Sequence, residues 1–475
     1  MAGSAIVAVR NGGAKRLRRV GRAFNPLDGV PHPLPGRAKP RPDDFAVGED
    51  ATPSQERAMR NFWWDGFFAE TSDIIWLQYF SLYALAFGAG VGLIGLLAAL
   101  GNLIAALSMW PGAVLAERTR RYKFIVVLTG GTMGRLTFLL LAALPWFASG
   151  NLALGLIVLA AGMRGFFGSV AMPAWQAFAA EFVPARLRGR YFASRNFARQ
   201  VAGLAMGPAV GLLISQLAGF SGWQTAWTMA FALGMVSSAF YLRIPNDVSP
   251  QAATPAPAKA RAKLSTSPLR DARLRSFVGT MALFQLSVMI AGPFFSVYFV
   301  KELGGSVFWV GITGAMMPAA GMLAQPILGK LNDRFGAKWL LVVSGLLMPI
   351  MPWAWILASE PWHILFINVV GGVLWSANLL ASFNLALAIS PEDRRPSYAG
   401  LYQGSIFFAS FLGPLLGGLL IPLLSFQAVF FLSGAGRILA IVLLWRLVSE
   451  DEAGPSHEAL PEPARRLPEA AAAGG

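Results

Sequence analysis

Twelve long apolar runs are the feature that most constrains how this chain folds. Each is about 20 residues long, the length at which a helix crosses the hydrocarbon layer of a bilayer. The pattern predicts an all-α membrane protein with twelve transmembrane helices. The predicted spans are residues 64–87, 91–113, 124–147, 152–180, 191–217, 224–243, 277–300, 307–329, 338–358, 362–389, 397–422 and 426–447.

The composition supports a lipid environment and excludes several functions. Of the 475 residues, 55% are hydrophobic and 13% are charged, whereas a soluble chain carries about 25% charged residues. The chain has no Cys and only three, unclustered His residues, so disulfides and thiolate metal sites are not expected. It contains neither a phosphate-binding loop nor a Ser/His/Asp constellation. We therefore predict a protein that is not an enzyme, needs no cofactor and is not driven by ATP within this chain.

The basic residues lie almost entirely on one side of the predicted spans. If the N-terminus is placed inside, all but four of the 39 Lys and Arg residues fall in inside segments. The exceptions are Lys301 in an outside loop and Arg135, Arg164 and Arg437 within spans. This asymmetry predicts that both termini are cytoplasmic. It also explains the net charge of +15 as an anchor against anionic lipid rather than a nucleic-acid surface.

Polar, Pro-rich segments divide the chain into five parts. The predicted parts are a disordered basic cytoplasmic arm (1–60), an N-terminal six-helix bundle (61–243), a cytoplasmic linker (244–275), a C-terminal six-helix bundle (276–447) and a disordered tail (448–475). No apolar core of a signal peptide occurs in the arm. An alternative for the arm is a translation start at Met59, directly before the first span.

Two stretches of sequence recur in both halves. The loop "GKLNDRFGAK" after span 8 matches "AVLAERTRRYK" after span 2. Tyr191 at the start of span 5 matches Tyr398 at the start of span 11, and Pro184 likewise matches Pro391. Two homologous six-span halves are typical of secondary transporters, in which the binding site lies between the repeats. We therefore predict two bundles related by pseudo-two-fold symmetry.

These loops resemble the signature of the major facilitator superfamily, roughly G-x-L-x-D-R-x-G-R-R, and the resemblance covers about residues 62–447. The second copy fits closely. The first copy departs from it, with Ala113 at the initial Gly, Glu117 at the Asp and Arg120 at the second Gly. In that family the acid and base of each loop are understood to tie helices together and to rearrange during transport. The resemblance thus implies gating roles for Glu117, Arg118, Asp333 and Arg334, the alternative being plain basic turns.

Two further patterns are similar to those of the same family. Span 4 matches an R-x-x-Q-G pattern through Arg164 and Gly168, and in proton-coupled members that Arg is linked to proton transfer. Span 5 matches an antiporter pattern, and span 11 partly repeats it. The matching residues of span 5 are Gly203, Gly207, Pro208 and Gly211. The alternative is ordinary close helix packing through small residues.

Span 1 carries three acids, of which Asp65 lies near the inner interface and is expected to be solvated. Glu70 and Asp73 are three residues apart and share a helix face. Ionisable groups at this depth are costly and are usually functional. We predict that Asp73 and Glu70 carry a proton and that Arg164 tunes them, since the family fold implies that spans 1, 4, 7 and 10 line the cavity. A cation site or a static buried ion pair remains an alternative.

The other candidate residues are polar or basic side chains within spans. Arg135 and Arg437 lie on outer helices of the implied fold, and we expect structural pairing or lipid-face snorkelling for them. The predicted substrate contacts are Gln285, Trp375, Asn378 and Gln176. Interhelical hydrogen bonds are an equally good reading of these four residues.

Together these features predict a proton-coupled secondary transporter that works by alternating access. Its expected partners are a small-molecule substrate, protons and the lipid bilayer, as a monomer in a bacterial inner membrane. A partial antiporter pattern favours efflux of a lipophilic, drug-like compound, for which a cation or an anion both fit. The alternatives are a facilitative uniporter of a sugar or organic acid, and a transporter-like sensor that binds its ligand without moving it.

Overall fold

The computed structural model describes residues 52–245, 271–390 and 395–448, which are helical and contain no strand. Twelve helices, α1 to α12 in chain order, correspond to the twelve predicted spans and confirm the fold class. They are Pro53–Ala86, Val91–Thr119, Tyr122–Phe147, Gly150–Phe182, Ala185–Gln216, Ser221–Leu242, Ala272–Lys301, Val307–Phe335, Ala337–Leu357, His363–Ile389, Arg395–Leu423 and Phe426–Leu447.

Helix α1 is the longest of the twelve helices. It begins at Pro53, inside the predicted arm, because Thr52 caps it. The Thr52 hydroxyl accepts a hydrogen bond from the backbone N–H of Gln55 (3.3 Å), and the Gln55 side chain accepts one from Thr52 (2.9 Å). Within the described ranges, the other eleven helices are long and apolar enough to cross a membrane by composition alone. Helix α1 joins them as the twelfth because the three acids within its predicted span pair with arginines of neighbouring helices, as described below.

Two pairs of helices join the halves. Helix α2 packs against α11, and α5 packs against α8, as expected for two bundles related by a two-fold repeat. Glycines make both contacts possible. A side chain at Gly95 of α2 would collide with the carbonyl oxygen of Pro414 on α11, and one at Gly211 of α5 would lie 2.9 Å from the carbonyl oxygen of Val307 on α8. Small residues therefore let the backbones of the two halves approach closely.

The two ends of the bundle differ in how the halves meet. We call the end with the α2–α3, α4–α5 and α8–α9 connections the basic end, and the opposite one the far end. At the far end a single apolar core runs through both halves and includes Tyr79, Val210, Phe294 and Ile421. Towards the basic end the cores are separate, one in each half. The halves are therefore closed together at the far end and apart at the basic end.

The repeated loops adopt related turns. Gly336, between α8 and α9, has φ = 85°, a conformation that favours glycine. At the matching position of the first repeat, Arg120 has φ = 51°. Among the described residues, Arg120 is the only one other than glycine in the left-handed region. The first loop thus has a positive φ at the matching position although no glycine stands there.

The repeated tyrosines play matching parts. The Tyr191 hydroxyl of α5 donates a hydrogen bond to the carbonyl oxygen of Met59 on α1 (2.6 Å). The Tyr398 hydroxyl of α11 donates one to the carboxylate of Asp271, which caps α7 (2.7 Å). In each half the fifth helix is therefore tied to the first at the basic end. The matching Pro391, most of the linker and nearly all of the tail lie outside the described residues.

Candidate functional site

Three acidic residues of α1 each form an ion pair with an arginine of another helix. Arg164 lies on α4, whereas Arg195 and Arg199 lie on α5. The pairs are Asp65 with Arg195, Glu70 with Arg199 and Asp73 with Arg164. Helix α1 is thus held in the N-terminal bundle by charge as well as by apolar contact.

The Asp65–Arg195 pair is buried, so the expectation that Asp65 is solvated was wrong. The Asp65 carboxylate lies 3.3 Å from Arg195 Nη2 and accepts a hydrogen bond from the Ser237 hydroxyl on α6 (2.6 Å). The Arg195 guanidinium lies over the ring of Phe62, 4.1 Å from its centroid. A charge pair with these satisfied contacts holds α1, α5 and α6 together.

The Asp73–Arg164 pair is more accessible. Arg164 Nη2 contacts an Asp73 carboxylate oxygen directly, and Arg164 Nη1 donates to the carbonyl oxygen of Gly134 on α3 (3.4 Å). The Asp73 side chain is 43% exposed, against 10% for Asp65. The two predicted partners therefore meet in the structure, at a place that water and protons can reach.

Glu70 faces a different helix from Asp73. Its carboxylate lies 2.5 Å from Arg199 Nη2, and a Cβ added at Gly203 of α5 would touch its side chain. The sequence reading placed Glu70 and Asp73 at one site, but each acid has its own arginine. From the sequence, Arg195 and Arg199 are assigned only to the basic residues of the cytoplasmic segments. Their four-residue spacing within a predicted span was the signal that they face α1 together.

Arg135 belongs to the same polar region. It is buried, and it donates hydrogen bonds to the hydroxyls of Ser237 (3.0 Å) and Ser238 (3.2 Å) on α6. It follows a π-helical turn over Val127–Met133, a distortion often found at functional sites. The Ser238 hydroxyl supports that turn by donating to the Gly131 carbonyl (2.9 Å). Of the two roles expected for Arg135, lipid-face snorkelling is therefore excluded.

These side chains surround a cavity of about 370 Å³ within the N-terminal bundle, which we call the polar cavity. Its wall holds two acids and four arginines: Asp65, Asp73, Arg135, Arg164, Arg195 and Arg199. The wall therefore carries more positive than negative charge.

A second cavity, of about 660 Å³, lies between α1 and the C-terminal bundle, and we call it the aromatic cavity. Leu77, Gln78 and Ser81 of α1 face it, one to two turns beyond Asp73 along the same helix. Its C-terminal wall is mainly apolar and aromatic, as in many small-molecule sites. The large side chains of that wall are Phe295, Phe299, Met317, Met348, Met351, Trp355 and Trp375. The resemblance to the family implies a cavity lined by spans 1, 4, 7 and 10. The aromatic cavity is lined by α1, α7 and α10, but α8, α9 and α12 contribute to its wall in place of α4.

Two helices break where they line the aromatic cavity. Helix α7 is interrupted after Met289 by a short 3₁₀ turn at Gly292–Phe294. Helix α9 is interrupted between Leu347 and Ile350. Prolines explain both breaks, since Pro293 and Pro349 lack the N–H that would continue each helix. Irregular backbone is tolerated at membrane depth where it lines a cavity.

The predicted substrate contacts are dispersed. Trp375 lies in the wall of the aromatic cavity. Gln285 instead donates to the Ser410 hydroxyl on α11 (3.0 Å). Asn378 is buried within α10, and Gln176 is exposed outside both cavities. The roles of all four remain predictions.

The predicted gating residues lie at the basic end. Glu117, Arg118, Asp333 and Arg334 are all exposed. Arg334 lies over the ring of Phe335, 5.0 Å from its centroid, and among the described residues none of the four pairs with the other half. They are therefore placed where the halves are apart, and their gating role stays a prediction.

The fold and the two cavities define a class: two six-helix bundles around a central site, as in secondary transporters. The family model of the Major Facilitator Superfamily matches residues 66–289 and 277–471. This chain belongs to that superfamily and is an integral, multi-pass membrane protein. The resemblance seen in the loop sequences is thereby confirmed.

Curated relatives match one part of the chain. The Staphyloferrin B transporter of Staphylococcus aureus (strain NCTC 8325 / PS 47) is 29% identical over 153 residues, covering 31% of this chain and 36% of the relative. The Multidrug resistance protein MdtG of Proteus mirabilis (strain HI4320) is 28% identical over 165 residues, covering 34% of this chain and 40% of the relative. The chain thus matches about two fifths of the length of these relatives.

Solved structures share the whole fold. A crystal structure of the nucleoside transporter NupG aligns with a TM-score of 0.66 and 12% identity, covering 83% of this chain and 99% of that one. A bacterial homologue of the iron transporter ferroportin in an inward-facing state aligns with a TM-score of 0.64 and 16% identity, covering 83% of this chain and 99% of that one. At such identities the likeness extends to the fold alone.

Proposed function

We propose that this protein is a secondary active transporter that moves a small solute by alternating access, coupled to protons. The observation that carries the proposal is the asymmetry of the two halves. They share one apolar core at the far end and separate at the basic end, with the aromatic cavity between them. Under the positive-inside rule the basic end faces the cytoplasm, which makes this the inward-facing state.

Asp73 and Arg164 are proposed as the coupling pair. Protonating Asp73 would remove the charge that balances Arg164, and the accessible carboxylate allows the proton to arrive from the open side. Glu70 and Arg199 would act in the same way on α5, the helix that contacts the other half through α8. Both pairs thus connect protonation to helices that move relative to one another.

The names of the relatives favour efflux. MdtG is a multidrug resistance protein, and PmrA of Streptococcus pneumoniae, 27% identical over 169 residues, is a multi-drug resistance efflux pump. We propose export of a lipophilic, drug-like compound across a bacterial inner membrane by a monomer with both termini in the cytoplasm. A route through the aromatic cavity would suit such a compound.

The test uses the full chain in proteoliposomes with an imposed pH gradient. Internal pH is followed while a panel of lipophilic cations, organic acids and sugars is added. Wild type is expected to move protons with one class of compound, and Asp73→Asn is expected to bind that compound without moving protons. Glu360→Gln, an exposed acid at the far end, is the matched control and should behave as wild type.

Each alternative function has its own result. Solute flux that is independent of pH gradient and membrane potential would replace the proposal with a facilitative uniporter. Saturable binding with no flux of any compound would replace it with a sensor. If Asp73→Asn moves protons as well as wild type does, the acids of α1 are structural.

A further inference from the structure

Among the described residues, Arg437 is the only charged one in the wall of the aromatic cavity. It lies halfway along α12 and is 3% exposed. The sequence predicts a structural or lipid-facing role for Arg437 on an outer helix. Its burial excludes the lipid-facing role, since a snorkelling arginine extends along the surface towards a helix end.

No acid in the described structure neutralises Arg437. Its Nη1 donates to the carbonyl oxygen of Met348 (3.3 Å), its Nη2 donates to the Ser433 hydroxyl (3.1 Å), and its Nε has no partner. The described acids of the C-terminal half lie at helix ends or in connections: Asp271, Glu302, Asp333 and Glu360. A buried, uncompensated charge costs several kcal/mol.

The N-terminal half provides an internal comparison. Arg135 is buried to a similar degree and also bonds to serines of the sixth helix of its bundle, but Ser237 links it directly to Asp65. Arg135 is thus connected to a carboxylate through Ser237, whereas among the described residues Arg437 is connected to none. A purely structural contact also fails to explain the charge, because Ser433 and a backbone carbonyl would be satisfied equally by a neutral donor.

We infer that Arg437 binds an anionic group of the transported solute, so that the solute is an aromatic organic anion such as an aryl carboxylate. This inference rests on the proposed transport function and names its substrate class. A guanidinium presents several N–H donors suited to a carboxylate. The rings of Trp355, Trp375 and Phe295 would cover the apolar body of the molecule, and Gln78 would contact it from the other half.

The charged residues around the two cavities also argue against a cationic solute. Among the described residues no acid lines the aromatic cavity, and the three acids of α1 that lie within the predicted span are already paired with arginines. A cation would have to displace one of these arginines or remain unpaired beside Arg437. An anion instead supplies the charge that the cavity lacks.

The test uses three probes with one ring system and different charge: indole-3-acetate, its neutral amide and tryptamine. Binding to the purified full-length protein is measured by calorimetry, for wild type, Arg437→Gln, Arg437→Lys and the control Arg446→Gln, an exposed arginine on the same helix. The corresponding acetate, amide and amine with a naphthalene or phenyl ring are measured as well, in case the cavity does not accept an indole ring.

Wild type is expected to bind the anion at least about tenfold more tightly than the amide or the amine. Arg437→Gln should abolish this preference while leaving amide binding unchanged, and Arg437→Lys should keep part of it. The inference is overturned if no anion binds to wild type, if wild type prefers the amine or amide, or if Arg437→Gln weakens all three probes equally. Anion binding without flux would instead leave this site in place and remove the transport function.

Discussion

At the residue scale, the burial of their side chains separates the ion pairs of α1 into two kinds. Asp65 and Arg195 are enclosed by α1, α5 and α6, and their side chains are 10% and 4% exposed. Asp73 is 43% exposed at the open side. An enclosed carboxylate exchanges protons less readily than an exposed one, so we expect the Asp65 pair to be structural and the Asp73 and Glu70 pairs to take part in coupling.

This difference predicts opposite results for two similar substitutions. Asp65→Asn leaves Arg195 and Arg135 without their acid and should destabilise the protein by about 3–5 kcal/mol, as expected for breaking a buried pair. Asp73→Asn should cost less than about 1 kcal/mol, because the Asp73 carboxylate is itself reached by solvent. Thermal unfolding in detergent micelles measures both. Equal loss of stability in the two variants would contradict the distinction.

At the element scale, the two repeated turns differ in how well their residues suit the backbone. Gly336 has φ = 85° without strain, whereas Arg120 has φ = 51° with a side chain present. Arg120→Gly should therefore stabilise the protein by about 1 kcal/mol, the cost of the left-handed conformation for a residue with a Cβ. Gly336→Ala should destabilise it by at least as much.

Thermal unfolding of the Arg120→Gly and Gly336→Ala variants checks this prediction. Arg118→Gly is a suitable control because Arg118 lies within the last turn of α2, where φ is negative and glycine is unfavourable. A loss of stability in Arg120→Gly comparable to that in the control would contradict the prediction.

The start of α7 predicts a dependence on pH. Burial alone would raise the pKa of Asp271, but hydrogen bonds from Tyr398 and from the backbone N–H groups of Leu274 and Arg273 outweigh it and lower that pKa. The ionised form is therefore favoured by folding. Its contribution is complete above the unfolded pKa of about 3.9 and is lost as the pH falls through the folded value.

Removing this carboxylate should consequently matter most at neutral pH. Asp271→Ala is expected to lower the free energy of unfolding by about 1–2 kcal/mol at pH 7, through loss of the helix cap and of the bond from Tyr398. The gap to wild type should narrow as the pH falls below about 4. Unfolding curves at several pH values measure it, with exposed Asp333→Ala as the control. A gap that is constant with pH would contradict the assignment.

At the scale of the whole molecule, the halves meet through α2 with α11 and through α5 with α8. A Cβ placed at Gly418 of α11 would lie 3.4 Å from the Cα of Gly92 on α2. Backbones this close are within reach of a disulfide cross-link, and the sequence contains no Cys that would interfere. The far end therefore offers a direct test of the closed state.

The double variant Gly92→Cys, Gly418→Cys should form a disulfide on mild oxidation and lose transport, and reduction should restore transport. The pair Arg118→Cys, Arg334→Cys at the basic end should not cross-link in this state, because the halves are apart there. Mobility on denaturing gels and flux in proteoliposomes provide the measurements. Rapid cross-linking of the basic-end pair alone would indicate the opposite conformation.

The sequence by itself determined the membrane location, the twelve helices, the two repeats and the family. These follow from local quantities, since hydropathy, turn residues and repeated motifs are read along contiguous residues. The sequence also predicts that Asp73 and Arg164 are partners, but only because the resemblance to the family places their two helices around one cavity.

Only the tertiary structure decided which charges are neutralised. Asp65 and Arg195 are 130 positions apart, and nothing local indicates that they touch. The same holds for Arg437, whose helix is apolar all round, so that its sequence gives no face that points inward. Charge pairing depends on how helices rotate and pack against one another, and that information lies in contacts between distant residues rather than in any single run.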